Sequence, residues 1–157
     1  KHIAWICGPE SIPQVIDRTK GVGIAAKNHK VQIDTIHSPS MKFDGGLAAA
    51  EIFLAMNPRP TAIFCANDLL ALGVMRKLIA AGVKIPGDVS IIGYDDIEFA
   101  RTAAVPLSSI IQPAYQIGYT ATQLLLSECE AIETHAHQDV RFQPEIIARA
   151  STGPVKS

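Results

Sequence analysis

The sequence predicts an α/β fold: a doubly wound parallel sheet with helices on both faces. Short apolar runs of strand length alternate with longer segments whose apolar residues recur at helical spacing, from residue 3 to residue 94. The predicted strands carry apolar residues on both faces, as strands do when helices cover a parallel sheet from both sides. A chain of 157 residues, 48% of them hydrophobic, is long enough to bury such a core.

The first predicted unit is a strand followed by a helix. Residues 3–7 form an apolar run that ends at a Gly-Pro pair, which is typical of a buried strand that leads into a turn. Ser11 is the predicted N-cap of the next helix, because it precedes a proline of the first turn, Pro13. Residues 31–36 then alternate apolar and polar side chains, which predicts the second strand.

The second and third units follow the same pattern. The helix of the second unit is predicted to have Asp44 as its cap and to close at Pro58. Residues 61–66 form the third predicted strand. The next helix, over residues 68–81, is expected to end at Gly82, because glycine readily adopts the left-handed conformation that terminates helices.

The regular alternation ends after the fourth predicted strand, residues 89–94. Beyond it the sequence predicts a short extended crossing at residues 107–111 and a helix over Ala114–Glu130. Residues 140–148 are predicted to form a last strand, after an exposed loop at residues 132–138. No internal repeat or low-complexity tract divides the sequence.

The composition excludes several classes of protein. The formal net charge is −1 without a block of like charges, so this segment offers no basic surface to a nucleic-acid backbone. Cys7, Cys65 and Cys129 are too few and too widely spaced for a disulfide framework or a zinc site, which favours buried thiols in a reducing compartment. No apolar stretch reaches transmembrane length, and no signal peptide opens the sequence. Because it starts without Met, directly in a strand-like run, we expect the natural N-terminus to lie upstream.

Polar residues follow the third and fourth predicted strands, at the sheet end where ligands bind in open parallel sheets: Asn67, Asp68, Asp95 and Asp96. One interpretation is that each residue caps the helix that follows it, and this is favoured for Asp68. The other interpretation, favoured for Asn67 and Asp95, is a binding cleft. A carboxamide and a carboxylate together can donate to and accept from the hydroxyls or amines of a small molecule.

Arg18 is a further candidate for this site. It lies on the first predicted helix, whose N-terminus faces the same end of the sheet. Its guanidinium group is either solvated or directed as a forked donor toward a polyol or a carboxylate. Its position in the sequence leaves both interpretations open.

Other motifs give weaker signals. Residues 21–26 match the dinucleotide pattern G-x-G-x-x-A, but they lie inside a predicted helix, so small residues that allow close helix packing are the better explanation. His135 and His137 could hold a metal from one side, yet no third ligand stands at a useful spacing. No hydrolase nucleophile motif occurs, and the paired acids do not follow the strand order of a receiver-like phosphorylation pocket.

The central block "PTAIFCANDLLALGVMRKLIAAGVKIPGDVSIIGYDD" is highly specific, and "IAWICGPES", "DRTKGV", "PLSSIIQPAYQIG" and "QPEIIARAST" extend the similarity over nearly the whole chain. With these segments the sequence resembles the effector-binding region of the LacI/GalR family of bacterial transcription regulators. The fold of that family is related to that of periplasmic sugar-binding proteins.

The resemblance implies two similar lobes joined by three crossings, with an effector between them and a helix-turn-helix domain at the N-terminus. Residues 1–107 are then expected to belong to the second lobe. Residues 108–130 are expected to form the last crossing and a helix of the first lobe, and residues 139–152 a strand that returns to the second lobe. The DNA-binding domain and most of the first lobe are expected to lie outside this segment.

The resemblance also implies roles for individual residues. Arg18 matches an arginine that contacts effectors, Asn67 the asparagine of the "AND" motif, and Asp95 the first acid after the Gly-Tyr pair. Gln112 matches a polar residue of the crossing that often faces the cleft.

One position departs from the family pattern. Relatives often carry an aromatic side chain, a stacking platform for a sugar or base, where this sequence has Met41. Phe43, two residues later, either takes over that role or belongs to the core.

The function implied is that of a cytoplasmic repressor without catalytic activity or cofactor, in which a sugar-like effector closes the lobes. Operator DNA would be contacted only through the absent N-terminal domain, and no membrane is involved. A homodimer is implied as well, and the contact is expected to include the helix that carries Leu72, Met75, Arg76 and Ile79. The alternative is a periplasmic sugar-binding protein of a transporter. A nucleotide-dependent enzyme is disfavoured, because no glycine-rich turn follows a strand.

Overall fold

The computed structural model describes residues 1–130 and 136–154. Within them, six strands form one sheet in the order β2-β1-β3-β4-β5-β6, in which β6 is antiparallel and all the other pairs are parallel. The strands are β1 (His2–Cys7), β2 (Gln32–His37), β3 (Ala62–Cys65), β4 (Ser90–Tyr94), β5 (Ser108–Ile111) and β6 (Glu145–Ile147). The helices are α1 (Pro13–His29), α2 (Phe43–Ala55), α3 (Asp68–Ala80), α4 (Glu98–Thr102) and α5 (Ala114–Glu130). The predicted doubly wound α/β fold is confirmed.

Helices cover both faces of the sheet. Side chains alternate along β4, so Gly93 and Tyr94 point to opposite faces. A Cβ on Gly93 would meet Asp68 at the start of α3, whereas the ring of Tyr94 lies under the guanidinium of Arg18 on α1. Helices α1 and α3 therefore lie on opposite faces, and α2 packs beside α3.

The two faces differ in how completely they are covered. Ile63 and Ile91, on the α3 face, are buried. Their neighbours on the α1 face, Phe64 and Ile92, are only half-buried. An apolar groove of about 650 Å³ runs along this face between α1 and the strands, and we call it the α1-face groove. Helix α1 alone therefore leaves part of this face open.

The three thiols differ in exposure. Cys7 and Cys65 are buried, as expected, and burial raises the pKa of both. Cys129 on α5 is exposed, so the expectation of a buried thiol is wrong for this residue. Among the described residues all three cysteines are free.

Two predicted helix caps are wrong. Ile12 rather than Ser11 occupies the N-cap of α1, without a side-chain cap, and Pro13 at the helix start removes one amide that would need a partner. The N-cap of α2 is Lys42, and Asp44 lies inside the first turn, where its charge faces the positive end of the helix dipole. The predicted end of α3 is confirmed, since Gly82 follows it with φ +78°.

The C-terminal part is less regular than predicted. Residues 107–111, predicted as a crossing, contribute β5 to the sheet, and α5 has the predicted bounds. The predicted strand 140–148 shrinks to β6, because it pairs with β5 only from Ser109 with Ile147 to Ile111 with Glu145. The short helix α4 was not predicted. Residues 132–135 of the predicted loop lie outside the described residues.

The glycines of α1 do not pack closely. A Cβ on Gly21 or Gly23 would meet no atom within 4 Å, so the predicted role of these small residues in helix packing is wrong. The close contact occurs instead between α2 and α3, at Gly46 and Gly73. In the ranges 1–130 and 136–154, no helix is both long and apolar enough to cross a bilayer.

Candidate ligand-binding site

A polar pocket of about 520 Å³ lies at the carboxyl ends of the parallel strands. Asn67, Asp95 and Gln112 follow the ends of β3, β4 and β5, which are neighbours in the sheet. We call this space the end pocket, and it is lined by Ile12, Gln14, Arg18, Met41, Asn67, Asp95 and Gln112. The larger α1-face groove is lined almost entirely by apolar atoms, so the end pocket is the better site for a hydrogen-bonding ligand.

Arg18 is held by three contacts rather than solvated. Its guanidinium carbon lies 3.8 Å from the centre of the Tyr94 ring, within the range of a cation–π interaction. Its Nη1 donates to the carbonyl oxygen of Ala66, and its Nη2 lies 3.7 Å from Oδ1 of Asp95. The side chain is 19% exposed, so the fork is fixed at the edge of the end pocket with unused donors.

Asp95 provides the acidic group of the end pocket. Its backbone has φ +104°, an unusual value for a residue with a side chain. Gln112 Nε2 donates to its Oδ1 over 3.2 Å. Partial burial raises the pKa of Asp95, although Arg18 and the bond from Gln112 both act in the opposite direction. The carboxylate thus combines a fixed partner with an accessible oxygen.

Asn67 has a structural role in addition to its place in the pocket. Its Oδ1 accepts from the backbone amide of Leu70 over 2.9 Å, which makes it the N-cap of α3. Its Nδ2 donates to the carbonyl of Met41 over 2.9 Å. One amide hydrogen and one lone pair remain for a ligand. The N-cap of α3, predicted to be Asp68, is therefore its neighbour Asn67.

The structure separates Met41 from Phe43. Met41 lines the end pocket, and its backbone carbonyl accepts the hydrogen bond from Asn67. Phe43 lies on another surface, in a groove formed with α3, where the guanidinium of Arg76 stands 5.8 Å from its ring centre. Phe43 is therefore not available as a stacking platform in the end pocket.

Sequence reasoning missed three residues near the site. Ile12 and Gln14 line the end pocket at the start of α1, and Tyr94 supports Arg18. The available signal was the position of Gln14 in the first turn of a helix that follows β1, since helix N-termini converge on the ligand end of such sheets.

A buried polar group, Asp68, follows Asn67 of the end pocket in the sequence. Asp68 is fully buried and accepts from the hydroxyl of Ser109 over 2.6 Å and from the amide of Ile97 over 2.9 Å. Burial raises the pKa of Asp68, and the two hydrogen bonds offset this only in part. A Cβ on Gly93 would lie 2.0 Å from its Oδ1, so a glycine is required there.

The titration of Asp68 gives a prediction for stability. Its pKa is higher in the folded than in the unfolded chain, so its protonated form favours the fold. This contribution is complete below the ordinary aspartate pKa of about 3.9 and is lost as the pH rises through the folded value. We expect the free energy of unfolding of the parent to fall, relative to Asp68→Asn, as the pH rises above the ordinary aspartate pKa. Urea unfolding at a series of pH values measures the difference.

The comparison needs a control at an exposed acid. Asp17→Asn on α1 changes a carboxylate whose side chain is 77% exposed. A parent-minus-Asp68→Asn difference that stays constant with pH, or that follows the Asp17→Asn difference, contradicts a perturbed titration of Asp68.

The site carries donors and acceptors for binding. Arg18, Gln14, Asn67 and Gln112 supply donors and Asp95 supplies acceptors, which suits a small molecule with several hydroxyl groups. In the described part of the chain, no three metal-binding side chains converge. Of the two histidines considered and disfavoured as metal ligands, His135 lies outside the described residues.

Comparison with known proteins adds a family to this geometry. Residues 1–152 match the model of the periplasmic binding protein-like domain. The HTH-type transcriptional repressor PurR of Vibrio campbellii is 40% identical over 126 residues, which are 80% of this chain and 37% of that protein. The repressor CytR of Escherichia coli K12 is 35% identical over 155 residues, 97% of this chain and 45% of that protein. The chain thus spans less than half the length of these relatives.

Solved structures agree with the sequence relatives. A LacI-family regulator from Enterococcus faecium with bound ribose superposes with a TM-score of 0.86 at 31% identity, over 98% of this chain and 57% of that one. The complex of the regulator CelR with cellobiose gives a TM-score of 0.84 at 29% identity, over 95% and 46%. The lac repressor dimer bound to operator gives 0.87 at 26% identity, over 96% and 52%.

Proposed function

Because this chain belongs to the periplasmic binding protein-like family, and within it to the LacI/GalR regulators, we propose that it senses a small-molecule effector for a cytoplasmic transcriptional repressor. The observation that carries the proposal is the end pocket, where Arg18, Asn67, Asp95 and Gln112 converge from four elements. The relatives are named repressors, which favours a regulator over a periplasmic sugar-binding protein of a transporter.

We propose that the effector is sugar-like. Several hydroxyl groups would match the donors and acceptors that line the end pocket, and Met41 would contact an apolar face of the ligand. Two of the structural relatives were solved with bound ribose and with cellobiose, which makes these sugars the first probes. Phe43 is not part of this proposal, because it lies in another groove.

The domain organisation is also a proposal. Residues 1–107 form the second lobe, residues 108–130 a crossing and a helix of the first lobe, and residues 139–152 the return to the second lobe. Two surfaces support this: α5 has no buried residue, and the α1-face groove leaves apolar strand residues open. Tyr115 and Leu125 of α5 are 82% and 60% exposed, as expected for residues that pack against a lobe outside this segment.

The mechanism requires binding and no chemistry. An effector that contacts both lobes stabilises the closed form by its differential affinity for the closed and open states. Closure would then reposition DNA-binding domains at the N-terminus of the whole protein. With a net charge of −1, the present segment is unsuited to contact operator DNA itself. We therefore propose a regulator without enzymatic activity or cofactor.

Binding of the proposed sugars is the direct test. The full polypeptide is titrated with D-ribose and with cellobiose, and its unfolding temperature is recorded. A ligand at about a hundred times its Kd should stabilise the fold by about 2.7 kcal/mol and raise the melting temperature by several degrees. Calorimetry then gives the affinity. Absence of binding by both sugars, and by a wider set of pentoses, hexoses and nucleosides, would contradict a sugar-like effector.

We also propose that the protein forms a homodimer through α3 and α4. A groove of about 490 Å³ on this surface is lined by Leu72, Met75, Ile79 and Phe99, among other residues. Phe99 is 66% exposed and Ile79 is 40% exposed, although both are large and apolar. An apolar surface of this kind, beside Arg76, has the composition of an interface centre.

Replacing Phe99 by aspartate should separate the dimer. A buried aromatic side chain at an interface centre contributes about 2 to 4 kcal/mol, so the dimer dissociation constant should rise by about 30-fold or more. Sedimentation velocity over a range of concentrations measures it. Ile24→Asp, at a 63% exposed position of α1, is the control. An unchanged constant in Phe99→Asp would place the interface elsewhere.

A further inference from the structure

The turn that carries Asp95 has an unfavourable backbone conformation at two consecutive residues. Asp95 has φ +104° and Asp96 has φ +52°, and neither residue is glycine. A positive φ is unfavourable for a residue with a side chain, relative to an extended or helical conformation. Contacts around the turn must therefore hold it in place.

Two elements hold the backbone of the turn. The amide of Asp96 donates to the hydroxyl oxygen of Ser109 on β5 over 3.1 Å. The next amide, that of Ile97, donates to Oδ2 of Asp68 at the start of α3 over 2.9 Å. Ser109 donates in turn to Oδ1 of Asp68, so the two supports are joined.

A third element holds the side chain of Asp96. Its Oδ1 lies 2.6 Å from Nη2 of Arg149, and the two side chains are 1% and 14% exposed. Apart from this ion pair, Oδ1 has no hydrogen-bond partner among the described residues. Oδ2 faces Arg101 at 3.5 Å, but that side chain is 65% exposed and therefore contributes little.

Arg149 belongs to the segment that leaves β6. Its Nη1 donates to the carbonyl of Leu107, and its amide donates to the hydroxyl oxygen of Ser108, both just before or within β5. Strand β5 leads from the sheet into α5, and β6 is the strand in which the chain returns to the sheet after α5. Arg149 therefore connects β5 and β6 to Asp96, the residue next to Asp95.

We propose that Asp96 and Arg149 are positioning residues for the end pocket. Their ion pair keeps the turn in its positive-φ conformation, which directs the Asp95 carboxylate toward Arg18 and Gln112. A shift of β5 relative to β6 would be transmitted through Arg149 to Asp96, and one peptide bond joins Asp96 to Asp95. The ion pair thereby links the two crossings between the lobes to the effector contact. This inference rests on the proposed function, in which Asp95 contacts the effector.

The test uses variants that avoid an isolated buried charge. Asp96→Asn alone would leave Arg149 without its partner and risks unfolding the chain, so the double variant Asp96→Asn with Arg149→Gln is compared with the parent. Arg101→Gln is the matched control, because it removes a positive charge that faces the same Asp96 carboxylate but lies at an exposed position. Circular dichroism establishes that each variant is folded.

The first readout needs no ligand. The side-chain amide of Gln112, assigned with Gln112→Glu, reports its bond to Asp95, and the Nε proton of Arg18 reports its place over the Tyr94 ring. We expect both NMR signals to move toward solvent-exposed values in the double variant and to stay unchanged in Arg101→Gln. Signals of the double variant at parental positions would overturn the proposal.

The second readout is the affinity for D-ribose. We expect the double variant to bind about tenfold more weakly than the parent, while Arg101→Gln binds equally. If the parent binds neither D-ribose nor any other member of the sugar and nucleoside set, the sugar assignment of the proposed function fails, and the NMR signals alone decide the positioning role. If the affinity and both signals of the double variant equal those of the parent, Asp96 and Arg149 only stabilise the fold.

Discussion

Replacing Gly73 by alanine is expected to destabilise the protein by about 3 kcal/mol or more. A Cβ at this position would lie 2.2 Å from the backbone oxygen of Phe43 and 3.0 Å from Cα of Gly46. Both atoms belong to the backbone of α2, so relief requires the two helices to move apart over a close-packed core. Urea unfolding at constant pH gives the change in free energy.

The matched control is Gly21→Ala in α1. A Cβ at Gly21 would meet no atom within 4 Å, and the residue lies in a helix interior. Alanine there should stabilise the fold by about 0.5 to 1 kcal/mol, because glycine loses more backbone entropy on folding. A Gly73→Ala variant as stable as Gly21→Ala would show that the α2–α3 contact is not tight. This would also contradict the packing that positions the start of α3 beside the end pocket.

Replacing Asp95 by asparagine is expected to weaken effector binding by about 10-fold to 100-fold. A hydrogen bond to a charged group contributes about 1.5 to 3 kcal/mol, and the substitution removes the charge without changing the size of the side chain. It also removes the ion pair with Arg18, which lies 3.7 Å away. Calorimetry with D-ribose, or with the best ligand of the sugar series, measures the loss.

Two further variants sharpen this result. Arg18→Lys keeps the charge but loses the planar fork over Tyr94, so binding should weaken as well. Asp17 is next to Arg18 in the sequence and its side chain is 77% exposed, so Asp17→Asn should bind the effector as the parent does. Asn67→Ala is a less specific probe, because it also removes the N-cap of α3 and about 1 kcal/mol of stability. Parental affinity in a folded Asp95→Asn variant would contradict the assigned site.

Much of the fold could be predicted from local patterns. The apolar runs of β1 and β3 and the helical spacing of α5 each depend on residues close together in sequence, and the structure has these elements within a residue or two of their predicted bounds. The end of α3 at Gly82 also depends on one residue and its conformation. The polar residues at the ends of β3 and β4 were visible in the same way, because parallel strands end on one side of a sheet.

The tertiary structure decided how those residues are used. Asn67 rather than Asp68 caps α3, because Asp68 turns inward to Ser109 on β5, 41 positions away. The guanidinium of Arg18 lies over Tyr94, while Phe43 faces a different groove from Met41.

The ion pair between Asp96 and Arg149 and the contact between Gly46 and Gly73 likewise join separate elements. Periodicity and capping are local properties that a sequence displays directly. The direction of a polar side chain depends instead on partners that only the packing of the helices on the sheet brings within reach.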